Sequence, residues 1–236
     1  MAIFVISVFL FTDGLIGAEP SGPISPFIRE FIARHAAQTG RSEQLIFVTN
    51  RDASSFLVTI LALEKMGNIW KRVVPEFDGT IGKEGFASIG KKKEGDGKSP
   101  TGIFPLGMAF GYSPSVATKM SYRQATENDF WVDDVNSEDY NQWVKGQPKA
   151  ASMEQMRRND DAYKYGIVIE YNVNPIVKGK GSAIFLHIWG GKGEPTLGCV
   201  GMPEDKVVRL LGWLDPVKRP LIIMGREGEL HSMRSR

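Results

Sequence analysis

The sequence has few of the residues that usually carry polar chemistry. It contains one cysteine, Cys199, and three histidines in 236 residues. A single cysteine excludes an internal disulfide. The formal net charge is only +2, and no dense Lys/Arg face with interleaved aromatic residues occurs. The composition therefore argues against a nucleic-acid partner.

Long apolar runs are also missing. The ten residues 2–11 form an apolar block that is too short to span a bilayer as a helix. Small residues follow it up to Ala18, which is typical of a secretory signal peptide cleaved at that point. We therefore expect residues 1–18 to be a signal peptide, the protein to be exported to the periplasm or cell wall, and no stable membrane span.

What the sequence does contain is a core of short apolar segments separated by turns. Apolar residues make up 42% of the chain and charged residues 24%, which favours a packed domain over disorder. Period-2 patterns and turn residues predict strands, and one helix after a proline. The predicted strands are 44–49, 54–64, 68–74, 87–89, 102–106, 165–171, 182–187 and 220–224, and the helix is 203–214. This predicts a mainly β domain, a sandwich or barrel-like core with a few helices.

The domain boundaries follow from the same pattern. Residues 19–43 are expected to be a proline-rich linker and an N-terminal helix, residues 44–225 the main domain, and residues 226–236 a polar tail.

Residues 112–162 are polar and aromatic and show little periodicity, so we expect a long inserted loop. Six carboxylates lie between residues 127 and 143, but their spacing does not match a calcium loop, and no metal is predicted. Long ordered loops are often functional. We interpret the segment as a substrate-facing wall or lid that presents Asp133 and Asp134.

One stretch combines the cysteine with a histidine. An apolar run leads into His187, a Gly/Pro-rich loop follows, and Cys199 comes twelve positions later. A free thiol is mostly protonated at neutral pH and needs a base to become a nucleophile, which an imidazole can supply. A small buried thiol beside a core histidine is the alternative interpretation. The spacing alone leaves both open.

The residues around the pair resemble a known family. Thr196–Val200 (TLGCV) is similar to the Ser/Thr-x-Gly-Cys-hydrophobic signature of the L,D-transpeptidase (YkuD-type) catalytic domain, and Gly95–Phe104 (GDGKSPTGIF) resembles its upstream turn and strand. The resemblance covers residues 44–225. It implies a YkuD-like β fold and cell-wall cross-linking or remodelling, with peptidoglycan stem peptides as substrate, carbapenems as inhibitors and no cofactor.

The resemblance also implies roles for single residues. Cys199 would be the nucleophile that forms a thioester, and His187 its base, giving a thiolate–imidazolium pair. The carbonyl of Ile188 would orient the imidazole. Backbone N–H groups near Gly198 and Cys199 are the candidates for an oxyanion hole. Thr196 would supply the family's hydroxyl or simply a turn hydrogen bond.

Two further positions complete the expected site. Trp189 follows the histidine strand and lines either the pocket or the core. Gly201 stands where many family members carry arginine or asparagine, so the support of that side chain is lost or comes from elsewhere.

Other functions stay open at this point. A hydrolase, either an L,D-carboxypeptidase or an amidase, would use the same Cys/His pair with water as acceptor. A non-catalytic wall-binding domain with an incidental thiol is the third alternative.

Overall fold

The computed structural model of the protein describes residues 22–235, and the predicted signal peptide lies outside the described residues. The strands in that range are β1 Gln44–Asn50, β2 Leu57–Met66, β3 Ile69–Arg72, β4 Phe77–Thr80, β5 Gly102–Gly111, β6 Tyr122–Gln124, β7 Asp129–Val132, β8 Gln142–Lys145, β9 Met153–Gln155, β10 Tyr165–Ile169, β11 Phe185–Ile188, β12 Val200–Met202 and β13 Leu221–Arg226. The helices are α1 Pro26–Arg34, α2 Ala36–Thr39, α3 Glu204–Trp213 and α4 Glu227–Ser232, with a 3₁₀ turn at Pro216–Lys218.

Eight strands close into a ring. Around it the order is β1, β13, β5, β10, β11, β12, β4 and β2, and β2 pairs with β1 again. Strands β3 and β6 extend the sheet from β2 and β5. Closure removes the unpaired edges that an open sheet would leave. The mainly β, barrel-like fold predicted from the sequence is confirmed.

Alternation along β1 shows why both surfaces of the sheet are covered. Ile46 and Val48 belong to the core inside the ring, whereas Leu45 and Phe47 belong to an outer apolar cluster. Helix α1 covers that outer cluster, and Phe31 packs edge-on against Phe47 with ring centroids 5.7 Å apart. The N-terminal helix is therefore part of the packed domain.

The segment predicted as a polar tail is structured. Residues 227–232 form α4, and its Leu230 is fully buried in the same outer cluster. A single apolar residue among polar ones is too weak a pattern to reveal a short docked helix. The strand predicted at 87–89 is also wrong, because Ala87 lies in a loop whose backbone bonds to Ser99.

The inserted segment contains a small sheet of its own. Strands β8, β7 and β9 pair antiparallel in that order. Trp131 packs edge-on against Phe185 of the ring, and Trp143 against Phe110, with centroids 4.9 Å and 5.7 Å apart. Aromatic packing of this kind fixes the insert against the ring and makes it a rigid wall.

Candidate active site

Two adjacent strands bring the cysteine and the histidine together. Strand β11 carries His187 and pairs in parallel with β12, with His187 opposite Gly201. Cys199 directly precedes β12. Both side chains line one pocket of about 700 Å³. The ring thus places the thiol and the imidazole, twelve residues apart in sequence, on the same wall.

The thiol is buried and hydrogen-bonded. Cys199 is 6% exposed. Its Sγ donates to the carbonyl of Ala183 at 3.2 Å and accepts from the N–H of Phe185 at 3.3 Å. Burial raises the pKa of the Cys199 thiol, and the nearby Glu154 carboxylate adds to this. Burial therefore favours the protonated thiol over the thiolate.

The imidazole is held in one tautomer. His187 Nδ1 lies 2.7 Å from the carbonyl of Ile188, so Nδ1 carries the proton and Nε2 is the basic nitrogen. The ring of Tyr163 packs edge-on against the imidazole at 5.2 Å. Burial lowers the pKa of His187 to about 4. Within residues 22–235 no hydrogen bond occupies Nε2, which leaves it free to accept a proton.

Two hydroxyls shape the loop that carries the cysteine. The Ser99 Oγ donates to the carbonyl of Gly198 at 2.6 Å and accepts from the N–H of Gly82 at 3.0 Å. The Thr196 Oγ1 donates to the carbonyl of Cys199 at 2.7 Å and accepts from the N–H of Gly198 at 3.1 Å. Thr196 therefore makes the turn hydrogen bonds that the sequence left open.

These bonds change the expected oxyanion hole. The N–H of Gly198 is already taken by Thr196, so it is not a free donor. The N–H of Cys199 makes no hydrogen bond to any residue in the range 22–235. A side chain at Gly198 would lie 3.1 Å from Ile184 and 3.2 Å from the carbonyl of Lys98, which explains the glycine. Ser99 belongs to the Gly95–Phe104 motif, but the sequence alone assigns it no role.

Carboxyl groups from other segments also line the pocket, together with the cationic side chains of Lys83, Lys92 and Arg158. We call Glu94, Asp133 and Glu154 the acidic wall, and His187, Thr196, Gly198 and Cys199 the ring wall; all seven line the pocket. The acidic residues come from the loop before β5, the end of β7 and β9. Three chain segments distant in sequence therefore bring carboxyl groups into the pocket that holds the candidate nucleophile.

Members of the acidic wall differ in their partners. Glu94 accepts from Tyr140 at 2.5 Å and from Ser182 at 2.7 Å, and Glu154 accepts from Tyr163. Burial raises the pKa of Glu154. Asp133 has a buried Oδ1 that finds no hydrogen-bond partner among the described residues.

The neighbouring Asp134 has a different role. Its carboxylate accepts from the N–H of Asn136 at 2.9 Å and from the N–H of Ala151 at 2.8 Å, and these bonds lower its pKa. It does not line the pocket. The structure therefore does not bring Asp134 to the pocket with Asp133, and the backbone of the insert binds both of its oxygens.

Asn141 ties the insert to the ring wall. Its Oδ1 accepts from the indole of Trp131 at 3.0 Å and from the N–H of Ala183 at 3.1 Å. Ala183 has a φ of 52°, which is rare for a residue with a side chain, and its carbonyl is the one that the thiol contacts. This buried amide thus holds the strained residue beside Cys199.

The space beside Gly201 is filled. A Cβ at Gly201 would lie 2.8 Å from the Thr80 hydroxyl and 3.0 Å from the Cβ of Trp189. Trp189 itself lines the pocket. The arginine or asparagine of other members has no room here, and Thr80 and Trp189 occupy its place.

Residues 22–235 contain neither a candidate metal site nor a helix that could span a membrane. No group of three or more His, Cys, Asp or Glu side chains could hold a metal ion. None of the helices has the length and apolar character needed to cross a membrane.

Comparison with known proteins identifies the family. The family model of the L,D-transpeptidase catalytic domain (YkuD) matches residues 71–223, more than half of the chain, and the chain belongs to this family. It is therefore a protein of a peptidoglycan-modifying family. No curated protein matches the chain significantly.

Two solved structures are similar to the chain. One is the helical cell shape determining protein Pgp2 from Campylobacter jejuni, at 14% identity and a TM-score of 0.39, covering 85% of this chain and 54% of that one. The other is a mutant of the same protein, at 12% identity and a TM-score of 0.37, covering 86% and 57%. The chain thus spans little more than half of the length of the structures it matches.

Proposed function

We propose that the protein is a cysteine-dependent acyltransferase that acts on peptidoglycan stem peptides. The observation that supports this most is that the Cys199 thiol and the His187 imidazole, whose Nε2 is open to accept a proton, line the same pocket in a chain of the L,D-transpeptidase family. Action on peptidoglycan places the protein outside the cytoplasmic membrane, in the periplasm or the cell wall.

The proposed reaction starts from the neutral pair. The Cys199 Sγ attacks the carbonyl carbon of the L-to-D bond that follows diaminopimelate in a tetrapeptide stem, while its proton moves to Nε2 of His187. The negative oxygen of the tetrahedral intermediate is stabilised by the N–H of Cys199. The C–N bond then breaks, the imidazolium returns the proton to the leaving amine, and a thioester remains on Cys199.

A second nucleophile resolves the thioester. An amine of another stem peptide attacks the thioester carbonyl and loses a proton to His187. The C–S bond then breaks, the imidazolium protonates the departing sulfur, and the new amide bond is the cross-link. Water in the same position would give an L,D-carboxypeptidase. The acidic wall suits an amine-bearing substrate, because the unpartnered oxygen of Asp133 can accept from an ammonium group.

Intact-mass spectrometry of the full chain tests this proposal. The protein is incubated with disaccharide-tetrapeptide muropeptides and, separately, with a carbapenem, beside a Cys199→Ala variant. We expect an adduct on the wild type alone, together with dimeric muropeptides. An adduct with only trimmed monomers would establish the hydrolase. The absence of any adduct on folded wild type would overturn the catalytic proposal in favour of a wall-binding domain.

A further inference from the structure

Ser99 is distant in sequence from the candidate nucleophile but is hydrogen-bonded to the residue before it. It is fully buried, and its hydroxyl donates at 2.6 Å to the carbonyl of Gly198, a residue 99 positions further along the chain. The same hydroxyl accepts the N–H of Gly82 at 3.0 Å. The carbonyl of Cys199 lies 3.4 Å from the same hydroxyl, so the shorter and stronger of its two donor contacts is the one to Gly198.

The backbone of Ser99 is fixed as firmly as its side chain. Its N–H donates to the carbonyl of Gly85 at 2.9 Å, and its carbonyl accepts from the N–H of Ala87 at 2.8 Å. The bonding hydroxyl therefore projects from a rigid loop. The carbonyl of Gly198 is therefore held by a segment outside the cysteine loop, which has backbone hydrogen bonds of its own.

The geometry of the peptide bond transmits this constraint to the nucleophile. The carbonyl of Gly198 and the N–H of Cys199 belong to the same planar trans peptide, so they point in opposite directions. Fixing the carbonyl toward Ser99 fixes the N–H away from it. That N–H has no partner in the described part of the chain, as expected for a donor reserved for a ligand oxygen.

We propose that Ser99 is a positioning residue, which aims the N–H of Cys199 at the oxygen that becomes negative during acyl transfer. Thr196 complements it on the other side by holding the carbonyl of Cys199 at 2.7 Å. The inference rests on the proposed function, since it assigns the oxyanion donor of that same reaction. It also connects the Gly95–Phe104 motif to the TLGCV motif through one hydrogen bond.

Two reactions of the same thiol separate positioning from general damage. Acylation by a carbapenem passes through a tetrahedral oxyanion, whereas alkylation by iodoacetamide does not, yet both need the thiol of Cys199 and its base. For Ser99→Ala we expect acylation to slow by roughly 10- to 100-fold while alkylation is unchanged. The variant displaces the N–H of Cys199 without removing it, so its effect should be smaller than the loss of an oxyanion donor.

Thr101→Val is the matched control. The Thr101 hydroxyl is buried in the same loop and donates to the carbonyl of Ala87 at 2.6 Å, without contact to the cysteine loop. We expect this variant to keep the ratio of acylation to alkylation of the wild type. The inference would be overturned if Ser99→Ala left the ratio of acylation to alkylation unchanged, whether both reactions slowed or neither did. The same selective loss of acylation in Thr101→Val would also overturn it.

A measurement on the wild type covers the case in which Ser99→Ala does not fold. In ¹⁵N-labelled protein, the amide resonance of Cys199 should shift downfield and exchange more slowly once the carbapenem adduct has formed. An unperturbed amide would exclude the N–H of Cys199 as the donor and overturn the role of Ser99. A wild type that is never acylated would instead overturn the proposed function itself, so the two failures are distinguishable.

Discussion

The two walls of the pocket differ in which polar atoms lack a partner among residues 22–235: the Nε2 of His187 and the N–H of Cys199 on the ring wall, and a carboxylate oxygen on the acidic wall. On the ring wall, the thiol, the Nδ1 of His187 and the hydroxyl of Thr196 all have partners within the chain. On the acidic wall, the Oδ1 of Asp133 is buried without one. An unsatisfied buried oxygen costs free energy in the unliganded protein, and a cationic ligand would remove that cost.

The two walls also differ in the charge of their side chains. Burial favours the neutral forms of both Cys199 and His187, so the ring wall is uncharged at rest. Three cations line the same pocket: Lys92 is bonded to Asp96 at 2.7 Å, Arg158 to Asp160 at 2.8 Å, and Lys83 is the third. We infer that the ring wall is organised for proton transfer and the acidic wall for recognition. Four predictions test this division, ordered from the largest effect to the smallest.

Removing the proposed base, His187, from the ring wall should abolish most of the enzyme activity. For His187→Gln we expect muropeptide turnover to fall by roughly 10²- to 10⁴-fold, the usual contribution of general acid–base catalysis. Turnover is followed by chromatography of the products. Tyr163→Phe, which keeps the ring against the imidazole but removes the bond to Glu154, serves as the control and should retain far more activity. Near-normal turnover in His187→Gln would exclude its role as base.

The neutral state of the ring wall should appear in the pH dependence of stability. The pKa of His187 is about 4 in the folded protein and near 6.5 when unfolded, so the unfolded state binds more protons between these values. Its contribution to stability is complete above pH of about 6.5 and is lost as the pH falls toward 4. We expect a loss of about 2 to 3 kcal/mol between pH 7.5 and 4.5.

Urea unfolding of wild type and His187→Gln at these two pH values measures this loss. The variant lacks the imidazole, whereas all carboxylates titrate in both proteins and cancel in the difference. An equal drop in the free energy of unfolding of both proteins would show that His187 is not held neutral by burial.

Filling the space beside Gly201 should destabilise the ring wall. Gly201→Ala places a Cβ 2.8 Å from the hydroxyl of Thr80, and we expect a loss of about 1 to 3 kcal/mol from overpacking. Gly212→Ala in α3 is the control, since its Cβ would find only an ordinary contact at 3.8 Å and should stabilise the helix. Denaturant unfolding measures the stability of both variants, and equal effects would contradict the close packing around Gly201.

The smallest effect concerns the acidic wall. For Asp133→Asn we expect KM for the muropeptide to rise roughly threefold to tenfold with little change in kcat, as for the loss of one charge-assisted hydrogen bond. Asp134→Asn should lower the melting temperature and leave KM alone, because its oxygens bind backbone N–H groups. A rise in KM with both variants, or with neither, would remove the basis for calling this wall a recognition surface.

Much of the architecture could be predicted from local patterns. Short apolar segments bounded by turn residues are legible in sequence because the central strands are buried on both faces, and β10, β11, β13 and α3 lie within a few residues of their predicted bounds. The short helix α4 and the small sheet of the insert were missed. Their apolar residues are few, and they are stabilised by contacts with the ring instead of by their own periodicity.

By itself, the sequence determined the type of fold, the family and the two candidate reactive residues, because strand periodicity and the TLGCV motif are local properties of the chain. Only the tertiary structure decided the rest. Ser99 and Gly198 meet across 99 residues, Asp133 and Asp134 diverge although they are neighbours, and His187 is neutral because the folded protein surrounds it. Long-range hydrogen bonds and desolvation depend on which segments pack together, and no local pattern encodes that.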